Sequence, residues 1–249
     1  MGFLTNIKAN KAYRLHAKGD LEAARAGYEQ AYAEGLSDPK TLIAYALLLL
    51  RTGGYERAVE VLRRAEKAPG VTADQRVQII SHFAVAIWKL GRLDRAIELL
   101  QELFRKNKTG TLYGTLGYLL IDKAERMTPG GDPPITAGDI RAAKDEAIAF
   151  NLEAVDYDED DPVCLDNLAQ AYYRLLGDKD AARPYFERAL QNKPGAIDTN
   201  YFLAQYDAEQ EKAADAIAKL ETAAKGRFSP MNYATPEMVR AQLEKLRRQ

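Results

Sequence analysis

The chain has 249 residues, of which 47% are hydrophobic and 29% charged, a balance typical of a folded core and not of a disordered chain. Its 35 basic and 36 acidic side chains nearly cancel, to a net charge of −1, which argues against general nucleic-acid binding. The single cysteine, Cys164, cannot form an internal disulfide and fits a reducing compartment.

The start of the chain gives no sign of targeting to a membrane. Residues 1–7 lack the basic region and long apolar run of a secretory signal. The longest apolar run, Leu42 to Leu50, has nine residues, whereas about 20 are needed to span a bilayer. We therefore expect a cytoplasmic protein without membrane insertion.

Small residues recur through the chain with a period of 34 residues. Ala12, Gly19, Ala24 and Ala31 return, each 34 positions later, as Ala46, Gly53, Ala58 and Ala65. Between them lie two apolar stripes of helical spacing, which in the second unit are Leu42, Tyr45, Ala46 and Leu49, then Ala58, Val59, Leu62 and Ala65. Each unit therefore predicts a helical hairpin that turns at a glycine.

These positions together resemble the tetratricopeptide repeat. In the six successive repeats, the small residue of the first helix is, in order, Ala12, Ala46, Ala84, Gly117, Ala169 and Ala204. The second helix carries two positions seven residues apart that are small in most repeats, and the first of them is, in order, Ala24, Ala58, Ala96, Ala147, Ala182 and Ala216. Turn glycines stand at Gly19, Gly53, Gly91 and Gly177. The resemblance implies an all-α, right-handed α-α superhelix of about six helical hairpins plus a C-terminal capping helix.

Three departures from the period locate irregular structure. The spacing from Ala58 to Ala96 is 38, which predicts a longer connection near 70–74. Ala169 to Ala182 spans 13 where other units span 12, so one extra residue lies in or near 175–177. The fourth unit carries an insertion that includes 128–138, whose prolines and glycines exclude regular helix and whose flanking helices are expected to be longer.

We expect one helical-repeat domain over residues 1–228 and a capping helix within 229–249. Thr235 suits an N-cap, and Pro236 suits the first helical position. Met238, Ala241, Leu243 and Leu246 are predicted to form the apolar face of this last helix.

The sequence contains no recognisable catalytic or metal-binding constellation, so we expect no enzyme, no metal and no cofactor. Its two histidines, His16 and His82, have no second His or Cys at metal-ligand spacing. The acidic run 156–161 lacks the spaced ligands and central glycine of an EF-hand loop. It is interpreted as a solvated helix end, with Asp161-Pro162 starting the next helix; docking of a basic partner is the alternative.

The resemblance also implies which residues face the concave groove of the superhelix. Carried onto this sequence, the groove-facing set is Tyr13, His16, Leu47, Leu50, Arg51, Val85, Trp88, Lys89, Tyr118, Ile121, Asp166, Gln170, Tyr173 and Arg174. Aromatic and aliphatic side chains dominate this set and suit an apolar or amphipathic peptide, with Arg51, Lys89, Asp166 and Arg174 setting its orientation.

The expected function is therefore a non-catalytic protein–protein interaction scaffold. One alternative is a self-assembling subunit, because residues 51–108 carry 12 basic and 7 acidic side chains (+5) while residues 139–163 carry 2 and 9 (−7). The other is a regulatory, phosphatase-like repeat protein, although the chain has no spare helical bundle for an active residue.

Overall fold

Helices dominate the protein, which in this computed structural model is described over residues 3–131 and 133–248. They are α1 (Phe3–Lys18), α2 (Leu21–Ala33), α3 (Pro39–Arg51), α4 (Tyr55–Glu66), α5 (Ala73–Lys89), α6 (Leu93–Phe104), α7 (Gly110–Arg126), α8 (Ala137–Tyr157), α9 (Pro162–Gln170), α10 (Lys179–Asn192), α11 (Ile197–Glu209), α12 (Ala213–Ala224) and α13 (Pro236–Arg247). The chain divides after Lys106 into two compact units, α1–α6 and α7–α13, so the predicted boundary at 228 falls inside the second unit.

Each unit is built from hairpins of consecutive helices, as the period predicts. The pairs are α1/α2, α3/α4 and α5/α6 in the first unit, and α7/α8, α9/α10 and α11/α12 in the second. The alanines predicted at helix crossings are buried throughout; Ala46, Ala58 and Ala182, for example, are 0% exposed. Small side chains there let paired helices approach closely, and the all-α expectation is confirmed.

The predicted turn glycines all adopt the left-handed backbone that ends a helix. Gly19, Gly53, Gly91 and Gly177 have φ between +67° and +87°. The sixth hairpin has no glycine at this position, and Glu211 takes the same conformation with φ +60°. A side chain is strained there, because its Cβ lies close to the following carbonyl oxygen.

The fifth helical hairpin takes up its extra residue in a π-helical turn. Helix α9 continues directly into a π-helix over Ala171–Leu176, which ends at Gly177. A π-turn takes up one more residue than an α-turn, so the helix keeps its length while the register shifts by one. The spacing predicted this irregularity, and the structure places it just upstream of Gly177.

The insertion in the fourth helical hairpin forms a short irregular loop between two long helices. Helix α7 has 17 residues and α8 has 21, compared with 13 and 12 for α3 and α4. Gly130 and Ile135 pair through two backbone hydrogen bonds of 2.8 and 3.1 Å. The prediction is confirmed except that Ala137 and Gly138 already belong to α8; Asp132 lies outside the described residues.

The last helix is capped as expected but buries a different face. The Thr235 hydroxyl accepts a hydrogen bond from the Met238 backbone N–H at 3.2 Å. Val239, which was not predicted, is fully buried with Leu243 and Leu246 against the core of α11 and α12, whereas Ala241 is exposed. The buried residues are spaced by four and three, so they share one helix stripe that excludes Ala241.

Elsewhere, the acidic run ends as the sequence indicates. The Asp161 carboxylate caps α9 by accepting hydrogen bonds from the backbone N–H groups of Val163 and Cys164 at 2.7 and 3.1 Å.

Among the described helices, none is long and apolar enough to cross a membrane.

Candidate peptide-binding surfaces

The predicted groove residues lie on the first helices of the hairpins, but many of them are not open to solvent. Six are buried, with at most 5% exposure: Leu50, Val85, Trp88, Tyr118, Ile121 and Gln170. These six side chains were expected to face the groove, but they are not exposed to solvent, so that expectation is wrong for them. The helices α5 and α7 that carry four of them are apolar around most of their circumference, and such helices are covered on several sides.

In the first unit, a partly open surface remains on α1 and α3. Tyr13 is 41% exposed, and His16, Leu47 and Arg51 are half-buried. We call these four residues the first-unit face. The Lys40 ammonium on α3 lies 5.6 Å from the centroid of the Tyr13 ring on α1, so the two helices present this face together.

The polar groups of the first-unit face have different environments. His16 Nδ1 lies 3.5 Å from the Tyr28 hydroxyl. The Arg51 Nε is buried and has no hydrogen-bond partner among the described residues. Lys89, on α5, is half-buried with its ammonium 3.8 Å from the centroid of the neighbouring Trp88 ring. The Arg51 Nε is therefore a buried donor whose hydrogen-bonding need is not met within the described residues.

In the second unit, the predicted polar residues are joined in one network. The Arg174 guanidinium donates to both Glu125 oxygens and, at 2.7 Å, to the Gln170 amide oxygen. The Gln170 amide nitrogen donates to Asp166 at 2.6 Å, as does the Thr199 hydroxyl. The side chain of Arg174 is only 4% exposed, so it acts as a buried crosslink between α7 and the π-turn.

Asp166 and a nearby carboxylate, Asp198 at the start of α11, both have raised pKa values. Burial raises the pKa of Asp166, and repulsion from Asp198 raises it further. Burial also raises the pKa of Asp198, although three hydrogen bonds to its carboxylate oppose the shift. Ionisation of both Asp166 and Asp198 is therefore costly. Hydrogen-bond donors on α11 and in the chain that follows α12 stabilise the ionised carboxylates.

Sequence reasoning missed the segment that supplies those donors, residues 228–234 between α12 and α13. The backbone N–H groups of Tyr233 and Ala234 donate to Asp198 at 3.0 and 2.9 Å, and the Asn232 amide donates at 3.2 Å. The Tyr233 ring lies 4.4 Å from the Arg174 guanidinium. Nothing periodic marks this segment; its one signal is the turn-forming run Ser229-Pro230 followed by Asn232.

The remaining predicted aromatic, Tyr173, is half-buried and engaged. Its hydroxyl donates to the Gln205 amide oxygen at 3.0 Å, and its ring lies 4.9 Å from that of Phe202 on α11. Tyr173 thus ties the π-turn to α11.

Burial shifts the pKa values of the cysteine and of one histidine. Burial raises the pKa of the Cys164 thiol to about 12 and lowers the pKa of His82 to about 4. Within residues 3–131 and 133–248, no group of three His, Cys, Asp or Glu side chains could hold a metal ion. A thiol that stays neutral at neutral pH is a poor nucleophile.

The hairpins, their left-handed turns and their buried small residues define a helical-repeat protein. Three tetratricopeptide repeat models match the sequence, over residues 10–71, 41–121 and 163–191, together more than half of the chain. The chain belongs to the tetratricopeptide repeat family.

Solved structures agree on the fold. A thermophilic TPR protein from Thermus thermophilus, TTC0263, is similar with a TM-score of 0.66 and 15% identity, covering 85% of this chain and 100% of that one. MamA residues 41-end from Desulfovibrio magneticus RS-1 is similar with a TM-score of 0.54 and 18% identity, covering 78% and 97%. At these identities the likeness concerns the fold alone. Among curated proteins, none matches the sequence.

Proposed function

We propose that the protein is a non-catalytic scaffold that binds an apolar or amphipathic peptide of a partner protein on the first-unit face. The tetratricopeptide fold supports a protein-interaction role in general. The observation that carries the finer proposal is the exposure of Tyr13, at 41%, on the helix face where the family register predicts ligand contact. A large aromatic left open at such a position suits recognition.

Each residue of the face has a role in this proposal. Tyr13 and Leu47 bury apolar surface of the peptide, and a fully covered side chain of this size contributes about 1.5–3 kcal/mol. Arg51, which is half-buried, supplies a charged donor that suits a carboxylate or carbonyl of the peptide. His16 lies beside them, half-buried.

Quantitative affinity capture tests the proposal. The native chain is used as bait beside Tyr13→Ala/Leu47→Ala, and bound proteins are counted by mass spectrometry. Losing two apolar contacts should weaken binding about a hundredfold, so the partners captured by the native chain should be depleted from the variant. The matched control, Leu152→Ala/Tyr157→Ala, removes an exposed leucine and an exposed tyrosine from α8 in the second unit and should capture as the native chain does. Equal capture by all three baits would contradict the proposal.

Head-to-tail self-association is the second candidate, favoured by the opposite net charges of residues 51–108 and 139–163. Light scattering at low and high salt separates it from peptide binding, because a charge-driven assembly dissociates as salt screens the charges. A cytoplasmic location suits either function and is supported by the single cysteine.

A further inference from the structure

The segment 228–234 occupies a surface that carries predicted groove positions. Met231 lines a cavity of about 260 Å³ together with Gly114 and Tyr118 of α7 and Asn167 of α9. Tyr233 lies over Arg174 of the π-turn and next to α11. We call this surface of α7, α9, the π-turn and α11 the second-unit face. The chain's own segment therefore sits where the family register places a ligand.

The second-unit face holds the main chain of this segment. Two successive backbone N–H groups, of Tyr233 and Ala234, point at the two oxygens of Asp198, which is 6% exposed. Through these two hydrogen bonds, the Asp198 carboxylate recognises the backbone of the segment and not a particular side chain. Such contacts are available to any segment that adopts this local conformation.

Side-chain selectivity comes from one aromatic site and one amide. The Tyr233 ring packs 5.1 Å from the ring of Phe202 and 6.3 Å from that of Tyr201, with the Arg174 guanidinium 4.4 Å from its centroid. The Asn232 amide donates to Asp198, while its oxygen accepts from the Ser229 backbone at 2.9 Å. Ala234, at 1% exposure, leaves no room for a larger side chain. The site thus selects asparagine, then an aromatic residue, then a small one.

We propose that residues 228–234 are an internal ligand, and that the second-unit face binds in trans a partner peptide with the same asparagine–aromatic–small pattern by displacing them. This inference rests on the proposed function as an interaction scaffold and adds a second recognition site with defined chemistry. Residues 228–234 lie outside the helices, so their release unravels none of them. It breaks the Asp198 and Arg174 contacts and uncovers Ala234 and Phe228, which pack against the core of α11, α12 and α13. Its tethering gives it a local concentration of about millimolar, which masks the site in the free protein.

A labelled peptide of residues 226–235 tests the proposal by fluorescence anisotropy. The full-length variant Asn232→Ala/Tyr233→Ala, whose internal segment has lost its selective contacts, should bind this peptide at least tenfold more tightly than the native chain. A control peptide with alanine at the same two positions should not bind. Adding Asp198→Asn to the variant should abolish binding, because an amide nitrogen would then face backbone donors. Equal binding of both peptides, or no gain over the native chain, would overturn the proposal.

A second measurement uses the native chain and does not depend on how the variants fold. Millimolar unlabelled peptide should accelerate amide hydrogen exchange at Tyr233 and Ala234 while leaving Leu243 of α13 protected. Unchanged exchange at both amides would refute displacement. Either failure leaves partner capture through Tyr13 and Leu47 untouched, so it is distinguishable from failure of the proposed function.

Discussion

The contact between Gly117 and Asn151 provides a sharp test of the close helix packing on which the repeats depend. Gly117 is the small residue of α7, and a Cβ added to it would lie 2.3 Å from the Asn151 side-chain oxygen on α8. Asn151 is fully buried and donates to the carbonyls of Ala147 and Gly117 at 2.8 and 3.3 Å. Gly117→Ala therefore forces the Asn151 amide to move.

The cost follows from three opposing effects. Overpacking costs about 1–3 kcal/mol, and losing one Asn151 hydrogen bond adds about 1 kcal/mol. The better helix propensity of alanine returns about 1 kcal/mol. We expect a net loss of about 2 kcal/mol, or about 4–8 °C in the thermal midpoint. Asn151→Ala should be milder, because it also removes a buried side-chain oxygen that has no partner among the described residues.

Urea unfolding followed by far-UV circular dichroism measures the double-mutant cycle. The pair Gly117→Ala/Asn151→Ala should be more stable than the sum of the single effects by about 2 kcal/mol, because the clash disappears. Gly138→Ala is the matched control: its Cβ meets the Thr136 hydroxyl at 3.4 Å, and no loss is expected. A Gly117→Ala protein as stable as the parent, or one that Asn151→Ala does not relieve, would refute the reasoning.

Three further predictions concern stability. Glu211→Gly removes a side chain from a left-handed residue and should stabilise the protein by about 1 kcal/mol in urea unfolding; a loss would contradict strain there. Ala182→Phe and Ala58→Phe overfill crossings that are 0% exposed and should each lower the melting temperature by several degrees, unlike Ala142→Phe at an exposed position; unchanged melting would refute the repeat register. The pKa of His82 is lowered to about 4 from 6.5, so as pH falls through this window the unfolded chain takes up a proton before the folded one. The native chain should therefore lose about 3 kcal/mol relative to His82→Gln between pH 6.5 and 4, and parallel stability curves would contradict this.

The hairpins could be predicted from the sequence because their determinants are local and repeated. A helix crossing needs a small residue such as Ala46, and a turn with positive φ favours a glycine such as Gly53. The spacing also indicated the π-turn, because the one extra residue between Ala169 and Ala182 must be taken up within a few positions. Each of these features is fixed by neighbours within about 34 residues.

The solvent exposure of the groove residues and the packing of residues 228–234 against the second-unit face could not be predicted in the same way. The repeat register assigns Trp88 to a helix face but does not say what covers that face. The contacts of Asn232, Tyr233 and Ala234 depend on one buried carboxylate, Asp198 at the start of α11, and not on a repeated small residue or glycine. An aspartate in the first turn of a helix is common, so its sequence position carried no signal for docking.

Photocrosslinking from position 13 tests the central claim most directly. A photoreactive phenylalanine analogue replaces Tyr13 in one protein and Leu152, on α8, in another, and each is irradiated with the captured partner. We expect a crosslink from position 13 that maps to one apolar or amphipathic stretch of the partner, and none from position 152. Crosslinks from position 152 alone, or none from position 13 while the partner stays bound, would contradict recognition by the first-unit face.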